Sequence, residues 1–302
     1  MKVLANGVRL GGNALWSKDG RRLAYIRSSD DTLRVSDVRS GRSVKLLEGV
    51  TGIASRAWSP NQRSLAVVST RDGIRSHRCS NAGTCPELYV VDAGGRGARR
   101  LTHNLTYEKD PVWSPDGRRI AVLSSHEPGN PRNWRDVRVV SLNRTERLVT
   151  NDGQVEWWAA WRTSDTLLVE TDRGSRFELT LSEGQRRDLA ARKLATPSVV
   201  AKYSGPSGAK STLDGTLAYS STRDRNGRFC WEAFGSDPAG CAFNAELYLR
   251  PPSGRPIRIT YSRVGETDIV WSPDGRTLAF QSGGRLMLVD HDGRRLRALL
   301  PK

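Results

Sequence analysis

The sequence predicts an all-β fold, a six-bladed β-propeller with four antiparallel strands per blade. Three observations carry the prediction. One phrase recurs along the whole chain, each recurrence is followed by a second strand-rich half, and no segment shows a sustained 3.6-residue apolar period. Helices alternating with strands, which a parallel sheet would need, are not expected.

In chain order the phrase reads WSKDGRRLAYIRS from Trp16, WSPNQRSLAVVST from Trp58, WSPDGRRIAVLSS from Trp113, WRTSDTLLVETD from Trp161 and WSPDGRTLAFQS from Trp271, at spacings of 42, 55, 48 and 110. The last gap is twice the others and contains STLDGTLAYSSTRD, where Asp214-Gly215 fit the turn and Ser211 stands at the Trp position. Six repeats follow. The expected blades cover approximately 12–49, 50–104, 105–152, 153–192, 193–262 and 263–300 of one domain over 1–302. Residues 3–10 are expected either to add an outer strand to the last blade or to lie across the ring.

Each copy makes local sense. In SPDG, Pro presets φ at the second position of a type I turn and Gly at the fourth tolerates positive φ, so the Trp ends one strand and another begins after the turn. Arg119-Ile120-Ala121-Val122-Leu123 runs apolar, as a strand buried between two layers does. The second halves are ELYVVDAGGRGARRLT after Glu87, DVRVVSLNRTERLVT after Asp136, RFELTLSEGQRRDLA after Arg176, ELYLRPPSGRPIRIT after Glu246 and RLMLVDHDGRRLRALL after Arg285. Each has room for two more strands and a turn, which completes a propeller blade.

At WSPDGRRIAV, SSTRDRNG and ELYVVDAGG…RRLT the sequence resembles the TolB-like propeller family, and the resemblance runs over residues 14 to 300. It implies a six-bladed propeller and relatives of several kinds: periplasmic partners of envelope lipoproteins, propeller domains of prolyl-oligopeptidase-like enzymes, and a few lyases. A shared fold does not choose among these. The peptidases of this kind carry a hydrolase domain with a G-x-S-x-G nucleophile elbow. No G-x-S-x-G occurs in this sequence, and six blades are expected to use all of it.

Composition sets broader bounds. Hydrophobic residues form 37% of the chain and charged residues 26%, enough to bury a core. No stretch approaches the roughly 18 apolar residues of a spanning helix. The start MKVLANGVRL lacks a signal-peptide core, so an export leader is expected to be absent from this chain. Net charge is +16, from 48 basic and 32 acidic residues, a field that favours polyanions. Only eight of the basic residues are Lys, and the Arg are spread over every segment, so a genome composition favouring Arg codons is the preferred explanation of the charge over a dedicated polyanion site.

Long insertions follow the second strand of three blades, at 71–86, 126–136 and 223–245, and long loops on a rigid scaffold are where function concentrates. The four Cys lie in two of them. Cys79 with Cys85 and Cys230 with Cys241 are expected to form two local disulfides, hence an exported, extracytoplasmic (periplasmic or secreted) protein. The competing reading, a metal held by His77, Cys79 and Cys85, needs a tighter Cys spacing than the five intervening residues allow. Trp134 and Trp231 sit in insertions, and Trp157 and Trp158 in the lead-in to the fourth blade. All four are candidate ligand-binding residues, with packing against their own loops as the alternative.

Acids recur at matched offsets before the Trp: Glu108 and Asp110, Glu156, and Glu266 and Asp268. They are expected to line the channel mouth and to receive a cation, an amine or a basic peptide, with local turn capping as the other reading. His77, His103 and His126 have no mutual ligand spacing, so no metal and no cofactor are expected. The expected function is a monomeric, non-enzymatic scaffold that binds a protein or peptide on its loop-decorated face. Two alternatives accompany it: a metal-assisted lyase or hydrolase with its site at the mouth, and a polyanion-binding module.

Overall fold

The computed structural model describes residues 14–27, 30–49, 55–73, 85–104, 106–125, 135–151, 155–189, 208–210, 213–221, 228–230, 241–243, 246–261, 266–283 and 285–299. Among them there is no helix, and the strands form six four-stranded antiparallel sheets, the blades of a propeller. The first sheet contains β1 (Leu15–Trp16), β2 (Arg22–Arg27), β3 (Thr32–Asp37) and β4 (Ser43–Leu47). The second contains β5 (Ser55–Trp58), β6 (Ser64–Ser69), β7 (Glu87–Asp92) and β8 (Ala98–Arg100). The third runs β9 (Glu108–Trp113), β10 (Arg119–Ser125), β11 (Arg135–Ser141) and β12 (Glu146–Leu148), and the fourth β13 (Glu156–Trp161), β14 (Thr166–Thr171), β15 (Arg176–Thr180) and β16 (Gln185–Leu189). In the fifth, β17 (Gly208–Lys210) and β18 (Leu217–Ser221) are followed by a separate hairpin of β19 (Arg228–Cys230) and β20 (Cys241–Phe243). The sheet then resumes with β21 (Glu246–Arg250) and β22 (Ile257–Arg258). The sixth contains β23 (Glu266–Trp271), β24 (Thr277–Ser282), β25 (Arg285–Asp290) and β26 (Arg297–Ala298).

Strand order within each sheet follows the sequence, so hairpins alone build every blade. The chain divides into two compact units, 1–29 with 34–43 and 196–302, and 30–33 with 44–195.

In the second of these units, β10 shows why the blades need near-continuous apolar strands. Ile120 and Val122 pack with Ala66, Val68, Leu88 and Leu101 of the preceding blade. Ala121 and Leu123 point the other way, into a core with Ala159, Leu167, Val169 and Phe177 of the following blade. Both faces of the strand are covered, so alternation between polar and apolar residues disappears. Each such aliphatic side chain stabilises the seam by about 1.5–3 kcal/mol. The Trp of the third and fourth blades each add a directional bond: Trp113 Nε1 donates to Ala57 O at 3.2 Å and Trp161 Nε1 to Val112 O at 3.0 Å. Both acceptors stand one residue before the Trp of the preceding blade.

The other unit repeats this design. Leu278 and Phe280 of β24 face Ala218, Leu247 and Leu249 of the fifth blade, while Ala279 joins Trp16, Leu23 and Tyr25 of the first. Trp16 Nε1 donates to Val270 O at 3.3 Å, again the residue before a Trp, so the first blade stacks on the sixth as the third stacks on the second.

The W-S-P-D-G turn works as its residues require. Ser114 Oγ donates to Asp116 Oδ1 at 2.6 Å and accepts from the Arg119 amide at 2.9 Å, and Asp116 Oδ1 accepts from the Arg118 amide at 3.1 Å. Ser17 with Asp19 and Ser272 with Asp274 repeat the bond, and Asn61 replaces the acid beside Ser59. The Ser114 hydrogen bond holds the Asp116 carboxyl below its ordinary range.

Candidate functional site

The acids selected by sequence fall into two classes. Glu108, Glu156 and Glu266 each begin the first strand of a blade and are buried, at 0%, 0% and 2% exposure. Opposite them across the ladder stand Ser124, Thr171 and Ser282. Just after each acid the register slips, leaving a bulge. In the third and sixth blades the bulge carries Asp110 and Asp268, both left-handed with φ of 52° and 54°. Asp is one of the few side chains that tolerates this region, by hydrogen bonding locally. The Asp110 side chain is exposed, with its carboxylate 3.3 Å from Lys109 Nζ.

Asp110 also fixes the level of its blade. Its amide donates to Ser55 Oγ at 2.6 Å, and Ser55 lies three residues before Trp58 as Asp110 lies three before Trp113. Equivalent positions of the second and third blades therefore meet. Glu108, Asp110 and Glu156 belong to one compact unit, Glu266 and Asp268 to the other.

Glu108 sits in a polar seam between the second and third blades. Its Oε2 accepts from Thr102 Oγ1 at 2.8 Å and its Oε1 from Asn104 Nδ2 at 2.8 Å. The same Asn104 amide group donates to Glu146 Oε2 at 2.9 Å, and Arg138 NH1 lies 3.4 Å from that oxygen. Glu87 is held by Arg100 NH2 at 2.9 Å. Burial pushes the Glu108 carboxyl up to about 8; Thr102 and Asn104 oppose the shift, and the charges of Glu87 and Glu146 add to it. The carboxylates acting on Glu108 are thus Glu87 and Glu146, neither of which was among the acids expected at the mouth. Nearby, Tyr89 OH donates to Asp72 Oδ2 at 2.6 Å, and burial followed by that bond raises the Tyr89 hydroxyl far above its usual value.

A Thr that sequence reasoning passed over organises these seams. Thr150 Oγ1 accepts from the Val137 amide at 2.8 Å and donates to Asp136 at 3.4 Å. Thr260 Oγ1 accepts from the Leu247 amide at 2.9 Å and donates to Glu246 at 2.7 Å. Thr102 accepts from the Leu88 amide at 2.8 Å in the same way but gives its proton to Glu108 of the next blade. The signal was present as the terminal Thr of the RRLT, RLVT and RIT phrases, fourteen or fifteen residues after an acid.

Glu266 Oε1 accepts from Ser282 Oγ at 2.9 Å. Trp157 and Trp158 belong to β13, but their side chains lie outside the described residues, as do Trp134, Trp231, His77, His126 and Cys79. His103 is exposed between β8 and β9. Cys85 is disulfide-bonded, and Cys230 is the ladder partner of Cys241. Among the described residues no group of three or more His, Cys, Asp or Glu is arranged to hold a metal, and no helix is long and apolar enough to cross a membrane.

Comparison with known proteins gives a family and partial relatives. The family described as TolB beta propeller domain matches residues 10–202. An uncharacterized peptidase, YuxL of Bacillus subtilis, is 30% identical over 129 residues, 40% of this chain and 18% of the relative. The Tol-Pal system protein TolB of Bordetella pertussis is 26% identical over 150 residues, 38% of this chain and 34% of the relative. The matches thus span about a fifth to a third of these relatives' own length. Among solved structures, TolB from Acinetobacter baumannii aligns over 93% of this chain and 64% of its own, with 20% identity and a TM-score of 0.45.

Proposed function

The chain belongs to the TolB β-propeller domain family, and from that premise we propose that it is an exported, non-enzymatic scaffold that binds a basic protein segment or peptide. The observation that carries the reading is Asp110, held left-handed at the bulge of β9 with its side chain exposed. Asp adopts this backbone more readily than most residues, so the bulge can present its carboxylate at little cost. Burial consumes Glu108 in the seam beside it, which leaves Asp110 as the exposed acid of that blade entry to meet a ligand. Trp134, Trp157, Trp158 and Trp231 stay candidate aromatic contacts on the sequence alone, each within its own unit. That one relative is named as a Tol-Pal system protein supports a partner that is itself a protein.

Export rests on the cysteines. Cys85 is already in a disulfide, and residues directly opposed in an antiparallel ladder, as Cys230 and Cys241 are, have Cα atoms about 4.5–5.5 Å apart, within disulfide range. We assign the pairs Cys79–Cys85 and Cys230–Cys241, which an oxidising compartment would preserve.

Fluorescent peptides of equal length, rich either in Lys and Arg or in Asp and Glu, test the reading on the intact protein. The basic peptides should bind and remain uncleaved. Preference for the acidic set would favour the polyanion reading instead, and turnover of any peptide would favour the peptidase character that the name of the Bacillus relative raises.

A further inference from the structure

Resting on the reading of Asp110 as a ligand contact, we propose that Lys109 is a built-in competitor for its carboxylate: the lysine ammonium holds the acid until a ligand displaces it, and the exchange selects a guanidinium over an ammonium. In a regular strand consecutive side chains leave on opposite faces, so neighbours do not meet. The bulge of β9 removes that separation. Lys109 pairs with Leu123 and Val112 with Ala121, so Asp110 and Pro111 share the place opposite Val122. Asp110 is left-handed there, at a φ of 52°, and its amide is tied to Ser55 Oγ at 2.6 Å. Its carboxylate is thereby brought to 3.3 Å from Lys109 Nζ.

The two side chains are unequal partners. Lys109 is 22% exposed and Asp110 53%, so most of the lysine stem is covered while the carboxylate keeps a side open to solvent. The lysine stands at Oδ2, and among the described residues no hydrogen bond reaches Asp110 Oδ1. An ion pair this exposed is weak, so a ligand can open it. What the ligand gains then depends on its cation. An ammonium exchanges one point charge for another and must also approach the displaced lysine. A planar guanidinium spans both carboxylate oxygens and gains the bond to Oδ1 that Lys109 leaves unmade. The segment that Asp110 receives is therefore defined by arginine rather than by positive charge in general.

Arg-rich and Lys-rich peptides of equal length and charge, titrated into the intact protein and into two variants, test this. Wild type should bind the Arg-rich peptide at least about threefold more tightly. Lys109→Gln vacates the carboxylate, so both peptides should tighten, the Lys-rich one by at least about threefold, and the difference between them should narrow. Lys109→Arg keeps the charge but installs a forked competitor, and both peptides should weaken at least about threefold. Equal affinities of the two peptides for wild type overturn the proposal, and so does an unchanged Kd in Lys109→Gln. A Lys109→Arg protein that binds like wild type also overturns it, because the field of one positive charge would then be the whole effect. If Asp110→Asn still weakens binding in any of these cases, Asp110 remains a ligand contact; wild-type affinity in Asp110→Asn removes both the contact and its competitor. Should neither peptide bind wild type, binding that appears in Lys109→Gln supports the competitor and its continued absence overturns it.

Discussion

Trp16 Nε1 and Val270 O, 254 residues apart in the chain, share a 3.3 Å hydrogen bond that repeats the bond from Trp113 to Ala57 and from Trp161 to Val112. The recurring Trp is both a wedge in the apolar seam and a clip to the blade before it. Replacing Trp16 with Phe keeps most of the wedge and leaves one carbonyl unpaired, so denaturant unfolding should show a loss of about 1 kcal/mol. Trp16→Ala should cost about 3–5 kcal/mol. Equal losses in the two variants would mean that the clip, not the wedge, dominates.

Thr260→Val keeps the volume at a buried position but removes the acceptor of the Leu247 amide and the donor to Glu246. Chemical unfolding should show a loss of about 1–3 kcal/mol, because a buried amide is left unsatisfied. Thr260→Ser should recover most of it. A Val variant as stable as wild type would show that Arg258, which binds both Glu246 and the Thr260 carbonyl, fastens the seam by itself.

Gln62 occupies the place that Gly20, Gly117 and Gly275 fill in sister turns, and it adopts the same left-handed backbone, at φ of 60°. A Gln62 amide bond to Ser59 O at 2.7 Å offsets part of that strain. Gln62→Gly should raise the thermal midpoint slightly, for a gain of up to about 1 kcal/mol. A fall in the midpoint would make the side-chain bond the stronger effect.

Unfolding the unreduced protein should expose no thiols to a colorimetric reagent. Two reactive thiols would leave one assigned pair in place and remove the other, and four would remove the case for export.

The fold was legible because its signal is local: the turn chemistry of Ser114 to Gly117 and the apolar run Ile120 to Leu123 each lie within a few residues. Equivalence of Asp110 and Ser55 could also be counted from the Trp. What could not be read was burial. Glu108 and Asp110 look alike in sequence, yet a bulge between them sends one into the seam and leaves the other exposed. The partners of Glu108 are Thr102 and Asn104 of the crossover after β8, and Asn104 also reaches Glu146 of β12, so its environment depends on how two blades stack. A recurrent terminal Thr was visible but had no evident task until the Leu88, Val137 and Leu247 amides were seen to need it.

The binding of a Lys- and Arg-rich peptide, titrated against wild type and against the Asp110→Asn variant, tests the central claim most directly. Because Asn tolerates the left-handed backbone as Asp does, the variant should keep its melting temperature while its Kd rises at least about tenfold, a loss near 1.4 kcal/mol. A lower melting temperature with an unchanged Kd would make Asp110 a structural residue of its bulge and contradict the account.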